Sequence, residues 1–243
     1  MAIAQTRGLT KIYGTGETAV VALDHVDLEI EPGEFVAVMG PSGCGKSTLL
    51  NLIGGLDTPT EGSVVLDGRE IASMTDNEIT AFRRERIGFV FQFFNLIPVL
   101  SAVENAALPL VLADGGSAEA DRRADDWLGR AGLVDRRTNR PDQLSGGQQQ
   151  RVAVARALVS EPALILADEP TGNLDSKASE EIAALLRQVA SEWGRAILMV
   201  THDPRIAAHA DRIVFMRDGR VVDDTRIADA ESARDAMERV GLL

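Results

Sequence analysis

Short β-rich runs alternate along the chain with longer segments of helical character. The β-rich runs cover 19–30, 35–39, 63–66, 163–167 and 195–200, and the helical segments cover about 101–127, 146–160 and 176–193. Alternation of this kind is typical of a sheet whose strands are joined by crossover helices. The pattern therefore predicts an α/β fold with a strand-rich N-terminal part and no internal repeat.

Local signals mark where several elements begin or turn. The segments 75–78 and 101–104 have the form of capping boxes, in which side chains and backbone amides satisfy each other at a helix start. The Asp-Gly pairs at 67–68 and 218–219 are typical of hairpin turns. These signals predict helices that begin near 76 and 102, and two hairpins.

Composition narrows the classes of protein to which the chain can belong. The 243 residues are 45% hydrophobic and 26% charged, as in an ordinary globular protein. A formal net charge of -12 argues against a nucleic-acid partner, because such binding depends on Lys and Arg neutralising phosphates. The single cysteine, Cys44, excludes an internal disulfide framework and fits a reducing compartment.

Two further absences in the sequence suggest where the protein works. No segment approaches the roughly 18 uninterrupted apolar residues of a membrane-spanning helix. The first residues also lack the apolar core of a signal peptide. We therefore expect a cytoplasmic protein that reaches a membrane only through another chain.

The apolar run at 35–39 leads into a glycine-rich loop and then into helical sequence. The loop matches the pattern G-x-x-x-x-G-K-[ST] in the strand-loop-helix setting that this pattern requires. Its glycines let backbone amides point at phosphate oxygens, and the helix start adds to the attraction. We expect Lys46 to reach the β- and γ-phosphates and Ser47 to ligate Mg²⁺. The predicted nucleotide-binding loop consists of Gly40, Pro41, Ser42, Gly43, Cys44, Gly45, Lys46, Ser47 and Thr48.

A second apolar run, 163–167, ends in the carboxylates Asp168 and Glu169. In P-loop enzymes an acidic residue at this position holds the Mg²⁺ shell, which suits Asp168. Glu169 projects differently and is expected to polarise a water in line with the γ-phosphate. An Asp-Glu pair alone would mark only a turn, and it becomes informative because a phosphate loop precedes it.

Four more segments lie in a fixed order along the chain. They are 89–92 with Gln92, 144–148, 173–175 with Asp175, and 200–203 with His202. Together with the phosphate loop they resemble the motifs of the ABC ATPase family, and the resemblance spans about residues 2–225. Five motifs in the family's order make coincidence negligible.

The resemblance implies a role for each matching residue. Gln92 is similar to the glutamine that senses Mg²⁺ and the attacking water, His202 to the switch histidine, and Tyr13 to the ring that packs on adenine. The implied catalytic residues are Lys46, Gln92, Glu169 and His202; the implied metal ligands are Ser47, Gln92 and Asp168; the implied signature is Leu144, Ser145, Gly146, Gly147 and Gln148; and Asp175 belongs to the D-loop. Taken singly, Gln92 would be a solvated loop residue, His202 a helix cap and Tyr13 a packed ring.

The same resemblance implies an assembly. Ser145 with Gly146 and Gly147 opens a helix whose free amides and positive end make a second phosphate-holding site. In the family, the signature of one chain closes over the nucleotide in the loop of the other. Because both half-sites are intact, we expect a homodimer, head to tail around two Mg-ATP, that drives a separate transmembrane permease from the inner face of the membrane.

Three segments indicate one branch of the family. Residues 51–57, 94–100 and 167–176 are similar to the ATPases of macrolide exporters and lipoprotein-release systems. The stretch after Gln92 is apolar for a loop and is expected to meet the permease, since exposed apolar patches mark partner surfaces. The alternative is that Phe93, Phe94 and Leu96 pack within the protein. The substrate stays open, as does the choice between export and mechanical transmission.

Two other classes of function are less consistent with the sequence. A non-transport ABC ATPase, for nucleic-acid repair or cell-division regulation, is the main alternative; the single phosphate loop, the acidic balance and the absence of heptads disfavour a repair role. A small-molecule P-loop kinase has no use for the signature or for His202. ATPase stimulation by nucleic acid, or phosphate transfer to an acceptor other than water, would distinguish these classes.

The resemblance also implies how the single domain, 1–243, is organised. Its P-loop core with an N-terminal antiparallel β subdomain covers about 1–92 and 160–225, an inserted helical subdomain covers about 93–159, and a helical tail covers 226–243. Within the insert, Pro109 and Gly115-Gly116 predict helix breaks. In the tail, an amphipathic helix at 229–240 is expected to pack on its own domain through the residues Ala233, Ala236, Met237 and Val240.

Overall fold

Strands form two separate sheets in this protein. The computed structural model describes residues 1–114, 118–227 and 230–241. Its strands are β1 (Ala4–Tyr13), β2 (Val20–Ile30), β3 (Phe35–Met39), β4 (Glu61–Leu66), β5 (Arg69–Glu70), β6 (Ile87–Phe91), β7 (Leu164–Asp168), β8 (Ala196–Val200), β9 (Arg212–Arg217) and β10 (Arg220–Arg226). Its helices are α1 (Lys46–Ile53), α2 (Asp76–Arg86), α3 (Ala102–Asp114), α4 (Ala118–Arg130), α5 (Gly146–Leu158), α6 (Ser176–Ser191), α7 (Pro204–Ala207) and α8 (Ala230–Arg239).

The larger sheet has its strands in the order β10-β9-β3-β8-β7-β6. The strands from β9 to β6 are parallel, and β10 pairs with β9 as an antiparallel hairpin at the predicted Asp-Gly turn. Every residue of β3 and β8 is buried, as expected for parallel strands that are covered on both faces. Parallel strands end at one edge of a sheet, so the loops after β3, β7 and β8 lie together.

The smaller sheet is antiparallel, in the order β2-β1-β4-β5. One of its two inner strands, β1, is not among the runs that the hydrophobic pattern predicts. Polar side chains and Gly8, whose φ is +51°, interrupt the alternation, and the register with β2 shifts three times. Helix α1 packs against strands of both sheets, which holds the phosphate loop between them. The predicted α/β class with an N-terminal antiparallel part is confirmed.

Helices α3, α4 and α5 pack together beside the larger sheet. The predicted break at Pro109 is wrong, because Pro109 lies inside α3. A proline within a helix costs about 3 kcal/mol through its lost hydrogen bond and its ring contacts. Ala102, Ala106 and Ala107 bury α3 against its neighbours, and this packing outweighs the cost. The break predicted at 115–116 lies outside the described residues.

Helix α8 is the last element of the described chain. Ala233, Ala236 and Met237 are buried in the same core as the large sheet, and Val240 packs against that core. The helix therefore packs on its own domain, as the apolar stripe predicts, although its predicted first residue, Asp229, lies outside the described residues. Within the described ranges no helix is both long and apolar enough to cross a membrane.

Candidate active site

Three strand ends of the larger sheet carry the predicted phosphate-binding and acidic residues. Val38 of β3 and Asp168 of β7 both lie opposite Val200 of β8. The phosphate loop, Glu169 and His202 therefore leave the sheet at one edge. A cleft of about 320 Å³ opens there, lined by Ala22, Ser42, Gly43, Gly45, Lys46, Ser47, Thr48, Glu169 and Val200.

Two glycines allow the phosphate loop to lie against neighbouring backbone. A Cβ at Gly40 would lie 2.1 Å from a carbonyl oxygen of β9, and one at Gly45 would lie 2.3 Å from the carbonyl oxygen of Ala22. Gly45 also has φ +101°, a conformation that other residues rarely adopt. Lys46 Nζ donates to the carbonyl oxygens of Gly40 and Pro41, each over 2.9 Å. The backbone amides of the loop and the Lys46 ammonium group therefore lie close together.

Cys44 lies inside this loop with its side chain turned into the protein. It is 4% exposed and belongs to the core between the two sheets. Its amide donates to the carbonyl oxygen of Pro41, and its carbonyl oxygen accepts from the amide of Gly219. Because it is buried, Cys44 acts as a small side chain that packs in the core, and its thiol is not accessible to solvent.

Ser47 and Asp168 form a polar pair at the cleft. Ser47 Oγ donates to Asp168 Oδ1 over 3.1 Å. Burial raises the pKa of the Asp168 carboxyl, while the hydrogen bond from Ser47 and the charge of Lys46 act in the opposite direction. A hydroxyl and a carboxylate are hard oxygen donors of the kind that Mg²⁺ takes, and a cation beside Asp168 would favour its ionised form. The donor set therefore fits Mg²⁺.

Glu169 and His202 form a second pair. His202 Nδ1 lies 2.9 Å from Glu169 Oε2, and because a carboxylate only accepts, Nδ1 carries the hydrogen. Glu169 has φ +47°, and its amide donates to the carbonyl oxygen of Val200. A non-glycine residue in this conformation is uncommon outside turns and functional sites. The turn aims the Glu169 carboxylate into the cleft and places His202 beside it.

Gln92 lies at the end of β6, next to the D-loop. Its Nε2 donates to Asn173 Oδ1 over 3.3 Å, and Asn173 Nδ2 donates back to the carbonyl oxygen of Gln92 over 3.1 Å. Gly172 lies so close that a Cβ there would be 2.8 Å from Gln92 Nε2. The sequence singled out the segment that contains Asn173, and the reciprocal pair with Gln92 emerges only in three dimensions.

Tyr13 is the last residue of β1 and is 42% exposed. Its hydroxyl donates to Asp57 over 2.8 Å, and Lys11 Nζ, which also binds Asp57 over 2.6 Å, lies 4.9 Å from the ring centroid. Burial and the bond to Asp57 raise the pKa of the Tyr13 hydroxyl, while a hydrogen bond with Thr48 lowers it. Tyr13 is thus oriented by Asp57, and sequence inspection assigned no site role to Lys11 or Asp57.

The predicted signature forms the start of α5. Ser145 caps the helix by accepting from the amide of Gln148, whose side chain accepts from the amide of Ser145. A Cβ at Gly146 would lie 3.2 Å from Leu174, and one at Gly147 would lie 3.1 Å from Ala178. The signature therefore packs on the D-loop and on α6. Its members, Leu144, Ser145, Gly146, Gly147 and Gln148, are not among the residues that line the cleft.

Asp175 ends the D-loop and begins α6. Its side chain accepts from the amide of Ala178 over 2.8 Å, which makes it the N-cap of that helix. A cap of this kind stabilises a helix by about 1 kcal/mol. The bond holds the D-loop backbone at a fixed angle to α6.

Comparisons with known proteins place this chain in a family. A family model described as ABC transporter matches residues 23–172. The ABC transporter ATP-binding protein MJ0796 of Methanocaldococcus jannaschii is 51% identical over 219 residues, which is 88% of this chain and 93% of that protein. The macrolide export ATP-binding/permease protein MacB of Rhodopseudomonas palustris is 50% identical over 233 residues, which is 96% of this chain but 35% of MacB.

A solved structure gives the same result. The dimeric post-hydrolysis state of the ATP-binding cassette MJ0796, bound to ADP and Pi, is similar to this chain with a TM-score of 0.84 and 47% identity, covering 92% of this chain and 98% of that one. The resemblance drawn from the motifs is confirmed. These relatives also favour the transport interpretation over the non-transport alternative.

Proposed function

This chain belongs to the ABC transporter family as its ATP-binding and ATP-hydrolysing subunit, and from that premise we propose which residues perform each step. The observation that carries the proposal is the convergence of the phosphate loop, the Ser47–Asp168 pair and the Glu169–His202 pair at one edge of the sheet. Each pair joins residues that are distant in sequence. Convergence of this kind is what in-line phosphoryl transfer requires.

Nucleotide binding begins at the phosphate loop. The loop amides of 40–48 and the start of α1 hold the phosphate oxygens. Lys46, which donates to two loop carbonyl oxygens, exchanges these for the β- and γ-phosphates. Tyr13 packs its exposed ring on adenine, while Asp57 fixes the hydroxyl of that ring.

Mg²⁺ would be held by Ser47, Asp168 and Gln92. When bound, it neutralises charge that develops on the phosphates. Ser47 and Asp168 already face each other across 3.1 Å. Gln92 projects from the end of β6, the strand that pairs with β7 and lies beside Asp168.

Hydrolysis uses Glu169 as the general base. Its carboxylate takes a proton from water as the water oxygen bonds to the γ-phosphorus, and the bond from that phosphorus to the β–γ bridging oxygen breaks to leave ADP and phosphate. His202 holds the carboxylate through Nδ1 and orients it. Positioned bases contribute about a hundredfold to ten-thousandfold to such rates.

The signature and D-loop act on the second protomer. Within one chain the signature does not line the cleft, although it opens a helix with free amides. A head-to-tail homodimer brings it against the γ-phosphate of the ATP that the partner's loop holds. The dimeric structures of MJ0796 support the dimer, and the head-to-tail orientation is part of the proposal.

We place the docking site of a separate transmembrane permease at an apolar groove beside β6. A largely apolar groove of about 510 Å³ lies among α2, β6, α3 and α5, and the residues that line it include Phe89, Phe91, Leu108, Pro109, Leu112, Arg83, Arg84 and Arg156. Phe93, next along the chain, is 72% exposed, whereas Leu96 packs against the core. An exposed aromatic beside an apolar groove is typical of a partner surface. Docking there would hold the chain at the inner, cytoplasmic face of the membrane.

One experiment tests the catalytic assignment and the dimer together. Glu169→Gln should slow hydrolysis by more than about a hundredfold while ATP still binds, so that the closed dimer accumulates. Light scattering should show a monomer that becomes a dimer only with Mg-ATP, and no dimer when Lys46→Ala is added. The matched control is Glu180→Gln, because Glu180 also pairs with a histidine, His209, outside the cleft.

Two results would contradict the proposal. If Glu169→Gln hydrolysed ATP at the wild-type rate, Glu169 would not be the base. If Glu169→Gln bound ATP and remained a monomer, ATP alone would not close a homodimer of the isolated subunit, and closure would depend on the permease or on a different ATPase chain.

A further inference from the structure

Gln150 is a wholly buried polar residue that none of the assigned roles uses. It lies on α5, five residues after the helix cap Ser145, and its side chain is 0% exposed. Its Nε2 donates to the carbonyl oxygen of Phe91 over 3.2 Å and to that of Pro170 over 2.5 Å. One side chain therefore bridges the end of β6 and the segment that follows β7.

Those two segments are the ones that carry the hydrolytic residues. Phe91 ends β6 and is followed directly by Gln92, and Pro170 directly follows Glu169. Phe91 and Asp168 are register partners in the parallel pair β6–β7, so the two chain ends leave the sheet side by side. The Gln150 amide sits where the two chain segments diverge and binds one carbonyl on each.

The backbone at this point needs such a restraint. Glu169 has φ +47°, and both segments lie at or beyond the ends of β6 and β7, where the Glu169 amide still donates to the carbonyl oxygen of Val200. Arg156, one and a half turns further along α5, donates to the carbonyl oxygens of Phe94 and Asn95 just beyond Gln92. Side chains of helix α5 thus form hydrogen bonds to the main chain on both sides of Gln92.

The chemistry of Gln150 argues against a role in stability alone. Among the described residues its Oε1 has no hydrogen-bond partner. A buried acceptor left unpaired is unfavourable, and an apolar side chain of the same size would avoid that cost only by withdrawing the donor from the carbonyl oxygens of Phe91 and Pro170. The amide is therefore best explained by the two carbonyl groups that it holds in place.

We propose that Gln150 is a positioning residue for ATP hydrolysis, which sets the placement of Gln92 and Glu169 relative to each other through the backbone at Phe91 and Pro170. The inference rests on the proposed function, because it takes the roles of Gln92 and Glu169 from there. Helix α5 begins with the signature. When the signature binds the ATP held by the partner, a movement of α5 would therefore also shift the hydrolytic residues of the same chain. Gln150 then links the two nucleotide sites of the dimer.

Gln150→Met tests the proposal, because methionine keeps the length and volume of the side chain and removes both donors. We expect kcat to fall by about ten- to a hundredfold, the range for a reacting group displaced by about 1 Å. The Kd for ATP should stay within about twofold, since the phosphate loop is untouched. Gln188→Met, on α6 away from the cleft, is the matched control and should keep the wild-type kcat; its Nε2 bonds only Glu192 among the interactions described.

A double mutant separates positioning from loosened structure. If Gln150 acts through Glu169, then Gln150→Met combined with Glu169→Gln should hydrolyse ATP in single turnover at the rate of Glu169→Gln alone. Rate losses that multiply would overturn the proposal. So would an unchanged kcat in Gln150→Met, or a fall in kcat that merely follows a loss of ATP binding.

Two safeguards keep the outcome interpretable. Should Gln150→Met not fold, as judged by circular dichroism, Gln150→Asn keeps the amide but shortens its reach, and the same two measurements apply. A wild-type protein that binds ATP without hydrolysing it would overturn the proposed function itself. Wild-type hydrolysis with a Gln150→Met variant of equal kcat would overturn only this inference.

Discussion

Substituting Gly45 by alanine tests whether the phosphate loop depends on the close approach seen at β2. Two costs add at this position. The backbone, with φ +101°, is one that an L-residue adopts only with strain of about 1–2 kcal/mol. The new Cβ would also lie 2.3 Å from the carbonyl oxygen of Ala22, and relieving such a collision costs about a further 1–3 kcal/mol.

Two other glycines separate these costs. Gly43 in the same loop has φ +79°, and Gly194 before β8 has φ +66°, and a Cβ at either would meet nothing within 4 Å. Alanine at Gly43 or Gly194 should therefore destabilise the protein by the backbone strain alone, about 1–2 kcal/mol. Gly45→Ala should cost about 2–5 kcal/mol in total, unless the loop moves off β2 and the difference appears as weaker ATP binding.

The assay measures both quantities on all three variants. Urea unfolding gives the free energy of unfolding, and each kcal/mol should lower Tm by about 2–4 °C in a chain of this size. Isothermal titration gives the Kd for ATP, where 1.4 kcal/mol corresponds to a factor of about ten. If Gly45→Ala matched Gly194→Ala in both unfolding free energy and ATP affinity, the close approach to Ala22 would have no energetic consequence and the reasoning would be refuted.

Two further predictions concern the edges of the site. Asp57→Ala should weaken ATP binding about fivefold with kcat unchanged, because it removes one hydrogen bond, worth about 1 kcal/mol, that orients Tyr13. Titration measures the Kd for ATP, with the exposed Asp126→Ala as the control. A changed kcat with an unchanged Kd would contradict the prediction. Phe93→Ser should leave the ATPase rate of the isolated subunit unchanged but abolish co-purification with its permease. Val134 is similarly exposed, and Val134→Ser should keep the co-purification. If Phe93→Ser still co-purified with the permease, this surface would be excluded as the docking site.

Sequence inspection located the phosphate loop and the acidic strand end because their signals are local. Buried parallel strands are continuous apolar runs, and the loop has fixed residue types at fixed spacing. Strand β1 escaped the same inspection, because Gly8 and three register shifts interrupt its alternation. Pro109 led to the opposite error, a helix break that the structure does not have. Proline disfavours a helix locally, but α3 continues through Pro109 because it packs against α4 and α5.

Contacts between distant residues were the second limit. Tyr13 and Asp57 are 44 positions apart, and Gln92 and Asn173 are 81 apart. Single-sequence periodicity holds no information on such pairs. The roles of the motif residues could be inferred from family resemblance, whereas the side chains that hold them in place had to come from the structure.

Gln150 lies between these two cases. Helical spacing places it on the same face of α5 as Ala153, Val154 and Ala157, all of which are buried. An amide within an apolar stripe is a signal that the sequence does contain, and it distinguishes Gln150 from its neighbours Gln148 and Gln149. The pattern indicates that this amide is buried and must find partners. Only the fold identifies those partners as the carbonyl groups beside Gln92 and Glu169, since the buried face of α5 meets the ends of β6 and β7 there.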